Sequence, residues 1–155
     1  MIRPATLADV GEIHALVCEL AEFENLRPSV VSTPSDFLRA LFTNPPRMEA
    51  LVADLPEASP SDAPDRLAGV ALFYPTFSTF TGKPGLWLED LYVRPNFRAQ
   101  GIGTAFLMRI LELARERNCA RAEWSVLDWN KSAIEFYRDI GADVMPNWRI
   151  ARVEL

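Results

Sequence analysis

The sequence has few residues that could bind a metal ion or form a disulfide. Its 155 residues include one histidine and two cysteines. Cys18 and Cys119 lie in apolar segments with a helical or helix-end pattern, and they do not form a CxxC pair. Buried free thiols are therefore the simpler interpretation of both cysteines, and we expect no metal site.

The sequence also lacks a long apolar run and a basic stripe. No stretch approaches the roughly 18 uninterrupted apolar residues that a membrane span needs, and Arg3-Pro4 does not resemble the start of a secretory leader. A net charge of −5 argues against nucleic acid, because phosphates attract clustered Lys and Arg. We therefore expect a cytoplasmic protein that binds neither nucleic acid nor membranes. A net negative charge would attract a small cationic substrate, although many proteins carry such a charge only because it keeps them soluble.

Two familiar nucleotide-binding motifs are absent. The P-loop pattern GxxxxGK followed by Ser or Thr does not occur, and Gly101 and Gly103 are followed by Phe106 where a dinucleotide fingerprint requires a third glycine. Both of these phosphate-binding folds are excluded.

Hydrophobic periodicity predicts one α/β domain over residues 1–155, with a mixed central sheet and helices on its faces. Proline and polar residues at 56–65 predict a loop. Strands are predicted at 2–3, 49–54, 67–74, 86–93, 121–127 and 148–155. Helices are predicted at 6–24, from Thr33 to the prolines at 45–46, at 104–117 and at 131–140.

The strand at 86–93 carries two acids in an otherwise apolar run. Strict alternation predicts one face with Trp87, Glu89, Leu91 and Val93 and the other with Leu88, Asp90 and Tyr92. Because neighbouring strand residues point apart, only one of the two acids is expected to face a given cavity. Either acid could instead bind a backbone N–H group or pair with an arginine.

A glycine-containing turn stands between this strand and the next helix, with the sequence Arg98-Ala99-Gln100-Gly101-Ile102-Gly103-Thr104. Glycine allows close approach of the backbone to an anion, and the first amides of a helix have no partner within the helix. With the helix dipole and the charge of Arg98, this turn could hold a pyrophosphate. The same spacing also fits a strand-to-helix turn without any ligand.

The pattern Arg-x-x-Gly-x-Gly at 98–103, after a strand and opening a helix, resembles the acyl-CoA signature of the GCN5-related N-acetyltransferase (GNAT) superfamily. The resemblance extends over nearly the whole chain, including residues 2–6 and the segment NKSAIEFYRDIG at 130–141. Within the superfamily, residues 19–24, 88–93, 127–130 and 148–149 resemble the diamine and thialysine N-acetyltransferases. The resemblance implies a sheet splayed between two parallel strands, acetyl-CoA as co-substrate and a homodimer.

The resemblance also implies which residues bind CoA. Backbone of the strand would pair with pantetheine, the turn would bind pyrophosphate, and the start of the last helix would line the same molecule. These residues are Leu91, Tyr92, Val93, Arg98, Ala99, Gln100, Gly101, Ile102, Gly103, Thr104, Asn130, Lys131, Ser132 and Ala133, with Tyr137 beside the sulfur.

The expected chemistry needs a proton acceptor and a proton donor. A primary amine is mostly protonated at neutral pH and must lose a proton before it attacks a thioester. Glu89 matches the family's carboxylate, acting directly or through water, and Tyr137 matches the phenol that protonates the leaving thiolate. Transfer is direct, with no covalent enzyme intermediate. As a helical aromatic, Tyr137 could otherwise belong to the core.

Acidic and aromatic side chains would bind the amine. The positions implied are Phe23, Glu24, Glu89, Asp90, Glu123, Trp124, Ser125 and Trp148. Met145-Pro146-Asn147 replaces the acids that polyamine enzymes carry before this tryptophan, and Leu127-Asp128-Trp129-Asn130 is more similar to the thialysine branch. The acceptor stays open between polyamines, thialysine and similar diamines. A CoA-binding sensor without turnover and a protein N-acetyltransferase are the alternatives.

Overall fold

The computed structural model describes residues 1–55 and 66–154, so the loop predicted at 56–65 lies outside the described residues. Contacts within the chain divide it into two compact units, Met1–Trp124 and Ser125–Leu155. None of the helices in the described ranges is long and apolar enough to cross a membrane.

The first unit is built on a five-stranded sheet whose strand order follows the chain. Its first three pairings are antiparallel and the last is parallel. The strands are β1 (Ile2–Pro4), β2 (Glu49–Asp54), β3 (Leu67–Ser78), β4 (Lys83–Val93) and β5 (Ala122–Trp124). The predicted mixed sheet is confirmed.

Helices cover both faces of this sheet, as predicted. The helices are α1 (Val10–Phe23), α2 (Pro34–Phe42) and α3 (Ile102–Glu116). On one face, α1 and α2 pack on β2, β3 and β4, in a buried cluster that includes Ile13, Leu16, Leu41, Val52, Val70, Leu72 and Tyr92. On the other face, a β-carbon on Gly69 would lie 3.3 Å from the Phe106 ring of α3. Each helix therefore buries one apolar stripe on the sheet.

Local sequence explains where α1 and α2 begin. Thr6 and Asp9 form a capping box at a short 3-10 turn, Leu7–Asp9, that leads into α1. Thr33 and Asp36 form the same box at α2, with Pro34 in its first turn. Each box satisfies backbone donors that the first helical turn leaves without partners.

A buried arginine ties α1 to the end of β4. Arg94 is 7% exposed, and its guanidinium donates to Glu12 at 3.0 Å, to Glu19 at 2.8 Å and to the carbonyl of Leu67 at 2.8 Å. A charge this buried is tolerated only when it is paired and hydrogen-bonded. The cluster therefore fixes α1 against the carboxyl end of β4.

The parallel pairing between β4 and β5 is short. It comprises Leu86–Ala122, Trp87–Glu123 and Leu88–Trp124, whereas β4 continues to Val93. The strand predicted at 121–127 is therefore three residues long in the structure. The pairing stops at Leu88 because β5 itself ends at Trp124, so the expected splay of the two strands stays a prediction.

The second unit contains one helix, α4 (Lys131–Asp139), within its described residues. Gly141 follows it at a φ of 88°, as expected of a helix-terminating glycine.

The strand predicted at 148–155 is wrong over its described residues, 148–154. Trp148, Ile150 and Val153 are 73%, 71% and 83% exposed. Arg149 donates to the carbonyls of Pro146 and Trp148, within its own segment. A strand requires a neighbour for its ladder, and alternation along the sequence supplies only the propensity.

Candidate active site

A β-bulge directly follows Leu88, the last residue of β4 that pairs with β5. In the β3–β4 register, Leu72 pairs with Asp90 and Phe73 pairs with Leu88, so Glu89 is an additional residue on β4. A bulge of this kind breaks the alternation of side chains and changes the direction of the residues beside it.

The bulge places both acids of β4 on one face of the sheet. Trp87 lies opposite Tyr74, and Asp90 lies opposite Leu72. Residues 72 and 74 of one strand share a face, so Trp87 and Asp90 share it too. Leu72 belongs to the cluster with α1 and α2, which identifies this as the α1 face.

The predicted alternation of β4 is therefore wrong. Leu91 and Val93 pair with Ala71 and Gly69, and Gly69 is the residue close to α3. They lie on the face opposite to that of Trp87, not on the same one as predicted. The reason is that one inserted residue exchanges the faces of every position that follows it, and a local pattern does not reveal the insertion.

Glu89 is held on the α1 face by two hydrogen bonds. Its Oε2 accepts from the Tyr74 hydroxyl at 3.1 Å and from the Trp87 indole Nε1 at 2.9 Å. The expectation that only one acid faces a given cavity does not apply here, because Glu89 and Asp90 share a face. No role was predicted for Tyr74 or Trp87 from the sequence. The alternation of β4 could have identified Trp87 as a neighbour of Glu89, because the two are two residues apart. It could not have identified Tyr74, which lies on another strand, β3.

The acids on this face repel one another. Burial, together with the charges of Glu89 and Glu24, raises the pKa of Asp90 to about 6. Burial also raises the pKa of Glu24, at the carboxyl end of α1. A site that holds carboxylates close together with partial burial favours a bound cation, which relieves both the repulsion and the lost hydration.

Arg98 connects the turn to α1 and β4. Its Nε donates to the carbonyl of Val93 at 2.8 Å. Its guanidinium carbon lies 4.9 Å from the centroid of the Phe23 ring and 5.5 Å from that of Tyr92. Phe23, predicted on the amine side, and Arg98, predicted on the phosphate side, thus contact each other.

The turn has the backbone geometry of an anion cradle. Ala99 and Gly101 have φ angles of 57° and 79°, and Gly101 is the N-cap of α3. The amide of Ala105 donates to the carbonyl of Gly101 at 2.9 Å. The amides of Ile102, Gly103 and Thr104 precede this first helical bond, so the helix does not use them.

Other predicted positions have contacts of their own. Gln100 donates through its side chain to the carbonyl of Asn96 at 3.1 Å. Glu123 on β5 pairs with the Arg121 Nε at 2.7 Å. Trp124, next to it, is half-buried and pairs with Leu88 across the strands.

The second unit carries the remaining predicted residues. The Asn130 side chain caps α4, accepting from the amide of Ala133 at 3.3 Å and from the hydroxyl of Ser132 at 3.2 Å. The half-buried Tyr137 ring lies 5.5 Å from that of Phe136. Lys131, Ser125 and Trp148 are exposed. The parts of these residues in CoA or amine binding stay predictions.

The sequence matches the profile of the acetyltransferase (GNAT) family over residues 20–142. That range is most of the chain and includes the turn at 98–104 and the bulged strand. The chain belongs to the GNAT acetyltransferase family. As a member of it, the protein is an acetyl-CoA-dependent N-acetyltransferase with the family's α/β fold.

Named relatives support this assignment. The thialysine N-epsilon-acetyltransferase of Mus musculus is 37% identical over 91% of this chain and 82% of its own length. The L-ornithine N5-acetyltransferase of Arabidopsis thaliana is 32% identical over 98% of this chain and 83% of its own. A crystal structure of a probable acetyltransferase, 25% identical, superposes with a TM-score of 0.75 over 100% of this chain and 97% of its own.

The raised pKa of Asp90 predicts an unusual pH dependence of stability for this GNAT enzyme. The folded-state pKa, about 6, exceeds the usual 3.9 of an unfolded aspartate, so the folded state binds its proton more tightly. The stabilisation that protonated Asp90 contributes to the folded state is complete below about pH 4, and it is lost as the pH rises through 6. We expect Asp90→Asn to raise the free energy of unfolding by about 2 kcal/mol at pH 7 and by nearly nothing at pH 4, measured by urea denaturation.

Asp9 supplies a control of opposite sign. Its hydrogen bond with Arg3 holds the pKa of Asp9 well below the usual range. Its contribution is therefore present at neutral pH and lost as pH falls, and Asp9→Asn should destabilise the protein at pH 7. Equal effects of Asp90→Asn at pH 4 and pH 7 would contradict the electrostatic origin of the first prediction.

The turn geometry predicts a specific requirement for glycine at position 101. A β-carbon there would meet no atom within 4 Å, but the φ of 79° is unfavourable for alanine, at about 1 kcal/mol. We expect Gly101→Ala to lower the free energy of unfolding by about that amount. We also expect weaker CoA binding in calorimetry, because a relaxed turn would no longer direct the amides of residues 102–104 toward the pyrophosphate.

Gly11 is the matched control, since a β-carbon there also meets nothing within 4 Å and the residue lies in α1. Gly11→Ala should stabilise the protein by up to about 1 kcal/mol and leave CoA affinity unchanged. If Gly101→Ala binds CoA as tightly as the original protein, the turn is not the anion cradle.

Proposed function

We propose that this enzyme acetylates the terminal primary amine of a small cationic molecule, of the class that includes thialysine, ornithine and short diamines. The observation that carries the proposal is the pair of acids, Glu89 and Asp90, on one face of β4 directly after the end of its pairing with β5. Relatives named for a thialysine N-epsilon and an ornithine N5 activity agree with it, since both names specify an amine at the end of an amino-acid side chain.

Two carboxylates serve two tasks in this proposal. Glu89 accepts a proton from the ammonium group, directly or through water, so that the neutral amine can attack the thioester carbon. Asp90 attracts the cation to the α1 face of β4. The charge of Glu24, which acts on Asp90, adds to this attraction. The attack forms the new C–N bond, the C–S bond then breaks to release CoA as a thiolate, and the nitrogen loses its second proton to solvent as the amide forms.

Acetyl-CoA binds along the free part of β4 and at the turn. Backbone groups of residues 91–93 pair with its pantetheine arm, and amides of residues 99–104 hold the pyrophosphate. The start of α4, residues 130–133, lines the same co-substrate. The open amides at the start of α3 and the positive φ angles of Ala99 and Gly101 support this assignment.

Tyr137 donates a proton to the departing thiolate. A thiol with a pKa near 8.5 and a phenol near 10 are close enough for this transfer. We also infer a cytoplasmic homodimer.

A thiol-release assay over a panel of amines tests the proposed function. Thialysine, ornithine, lysine, putrescine and spermidine are compared with an aminoglycoside and a lysine-containing peptide. We expect kcat/KM for the best small amine to exceed that for the peptide by at least about tenfold, since a compact acidic site recognises a cation rather than a peptide backbone.

Two outcomes would contradict this function. Calorimetric binding of CoA with no thiol release for any amine would favour a CoA sensor. A preference for the peptide would favour protein acetylation.

The proposed role of Tyr137 predicts a separation of turnover from binding. We expect Tyr137→Phe to lower kcat by about 100-fold, as general-acid contributions of this kind do. Its CoA affinity should stay within about threefold of the original, because the ring is kept. Phe136→Leu, which alters the neighbouring ring in α4, is the control for packing and should leave kcat within a similar range. Unchanged turnover in Tyr137→Phe would remove Tyr137 from the mechanism.

A further inference from the structure

We propose that Tyr74 and Trp87 are positioning residues that fix the Glu89 carboxylate for proton transfer. The inference rests on the proposed role of Glu89 as the proton acceptor. The observation behind it is that both side chains donate to the same atom, Glu89 Oε2, at 3.1 and 2.9 Å.

The bulge makes such fixing necessary. Glu89 is the additional residue of β4, so no residue of β3 lies directly opposite it. Glu89 is exposed, and an exposed glutamate has several rotamers of similar energy. Holding it in one rotamer costs side-chain conformational entropy, which opposes catalysis. Efficient proton transfer requires a fixed distance and direction between donor and acceptor.

The sheet brings the two donors to Glu89 from different directions. Trp87 precedes Glu89 by two residues on β4, and Tyr74 is the cross-strand partner of Trp87 on β3. The two hydrogen bonds occupy Oε2 and leave Oε1 as the oxygen for an ammonium group or a water molecule. The carboxylate is thereby oriented with one reactive oxygen.

Both donors are neutral, and this suits the task. An arginine or lysine in their place would orient Glu89 equally well but would cancel the charge that attracts and deprotonates an amine. Tyr74 also stays protonated throughout the working range, because burial and the charge of Glu89 raise its pKa to about 12. It therefore donates to Glu89 at any pH at which the enzyme is assayed.

A double-mutant cycle tests the proposal with the small amine that gives the highest turnover. Tyr74→Phe and Trp87→Phe are measured alone and combined with Glu89→Gln. Alone, we expect each to lower kcat by roughly tenfold while KM for acetyl-CoA stays within about twofold, because the lost bond is to a charged group. In the Glu89→Gln background the same changes should lower kcat by less than about threefold.

Phe77→Leu is the matched control. Phe77 lies on the same strand as Tyr74 and is 66% exposed. Its substitution tests whether any change of an aromatic residue on β3 affects turnover, and kcat should stay at the original level. If turnover of Glu89→Gln falls below detection, Glu89→Asp provides the second background, since its shorter side chain withdraws the carboxylate from both donors.

The outcomes separate this inference from the function on which it rests. Losses of equal size in both backgrounds, or no loss in either single variant, would overturn the positioning role. Original turnover in Glu89→Gln would instead show that Glu89 is not the proton acceptor, and the positioning role would fall with it. A fall in kcat for Phe77→Leu as large as for Tyr74→Phe would assign the effect to the strand as a whole and would also overturn it.

Discussion

The end of the β4–β5 pairing at Leu88, together with the bulge at Glu89, is the constraint on which the rest of the site depends. Because β5 ends at Trp124, β4 continues from Glu89 to Val93 beyond the end of this pairing, and the edge of a strand is a template to which another extended group can hydrogen-bond. The bulge adds a second consequence at the same place. It brings Glu89 and Asp90 to one face, so an open strand edge and a concentration of negative charge occur within a few residues. In the proposed function, the extended arm of acetyl-CoA would use the strand edge and a cationic amine would use the negative charge.

The structure treats its carboxylates in two different ways. Glu12 and Glu19 of α1 are neutralised by the buried Arg94, which fixes the helix on the sheet. Asp90 is half-buried near other acids instead, and its pKa rises to about 6. Removal of either partner from a buried ion pair would leave an uncompensated charge, so the Arg94 cluster contributes mainly to position. The charge of Asp90 opposes folding at neutral pH, and in the proposed function a bound cation would offset this cost.

Sequence alone predicted the framework because the framework follows local rules. Helix caps at Thr6 and Thr33, apolar periodicity and the glycines of the turn each depend on residues close in the chain. The faces of β4 could not be predicted in this way, since one inserted residue at 89 reverses the alternation and only the register with β3 reveals it. Tyr74 was missed for the same reason, because its contact with Glu89 spans 15 residues and two strands. The strand predicted at 148–155 shows the opposite case. The sequence alternates as in a strand, but residues 148–154 do not pair with a strand among the described residues.

Arg98 shows why residue roles assigned one at a time are incomplete. Its Nε already binds the carbonyl of Val93 at 2.8 Å, and its guanidinium lies against the rings of Phe23 and Tyr92. In the proposed function, pantetheine would compete with Arg98 for the Val93 carbonyl, and a pyrophosphate would attract Arg98 away from Phe23, which precedes Glu24. Either exchange would change the charge near Glu24 and so the proposed binding of the amine. By thermodynamic linkage, a coupling of this kind between co-substrate and amine is reciprocal. In the proposed function, the turn and the face of β4 that carries Glu89 and Asp90 would therefore share Arg98, which contacts Val93 on one side and Phe23 on the other.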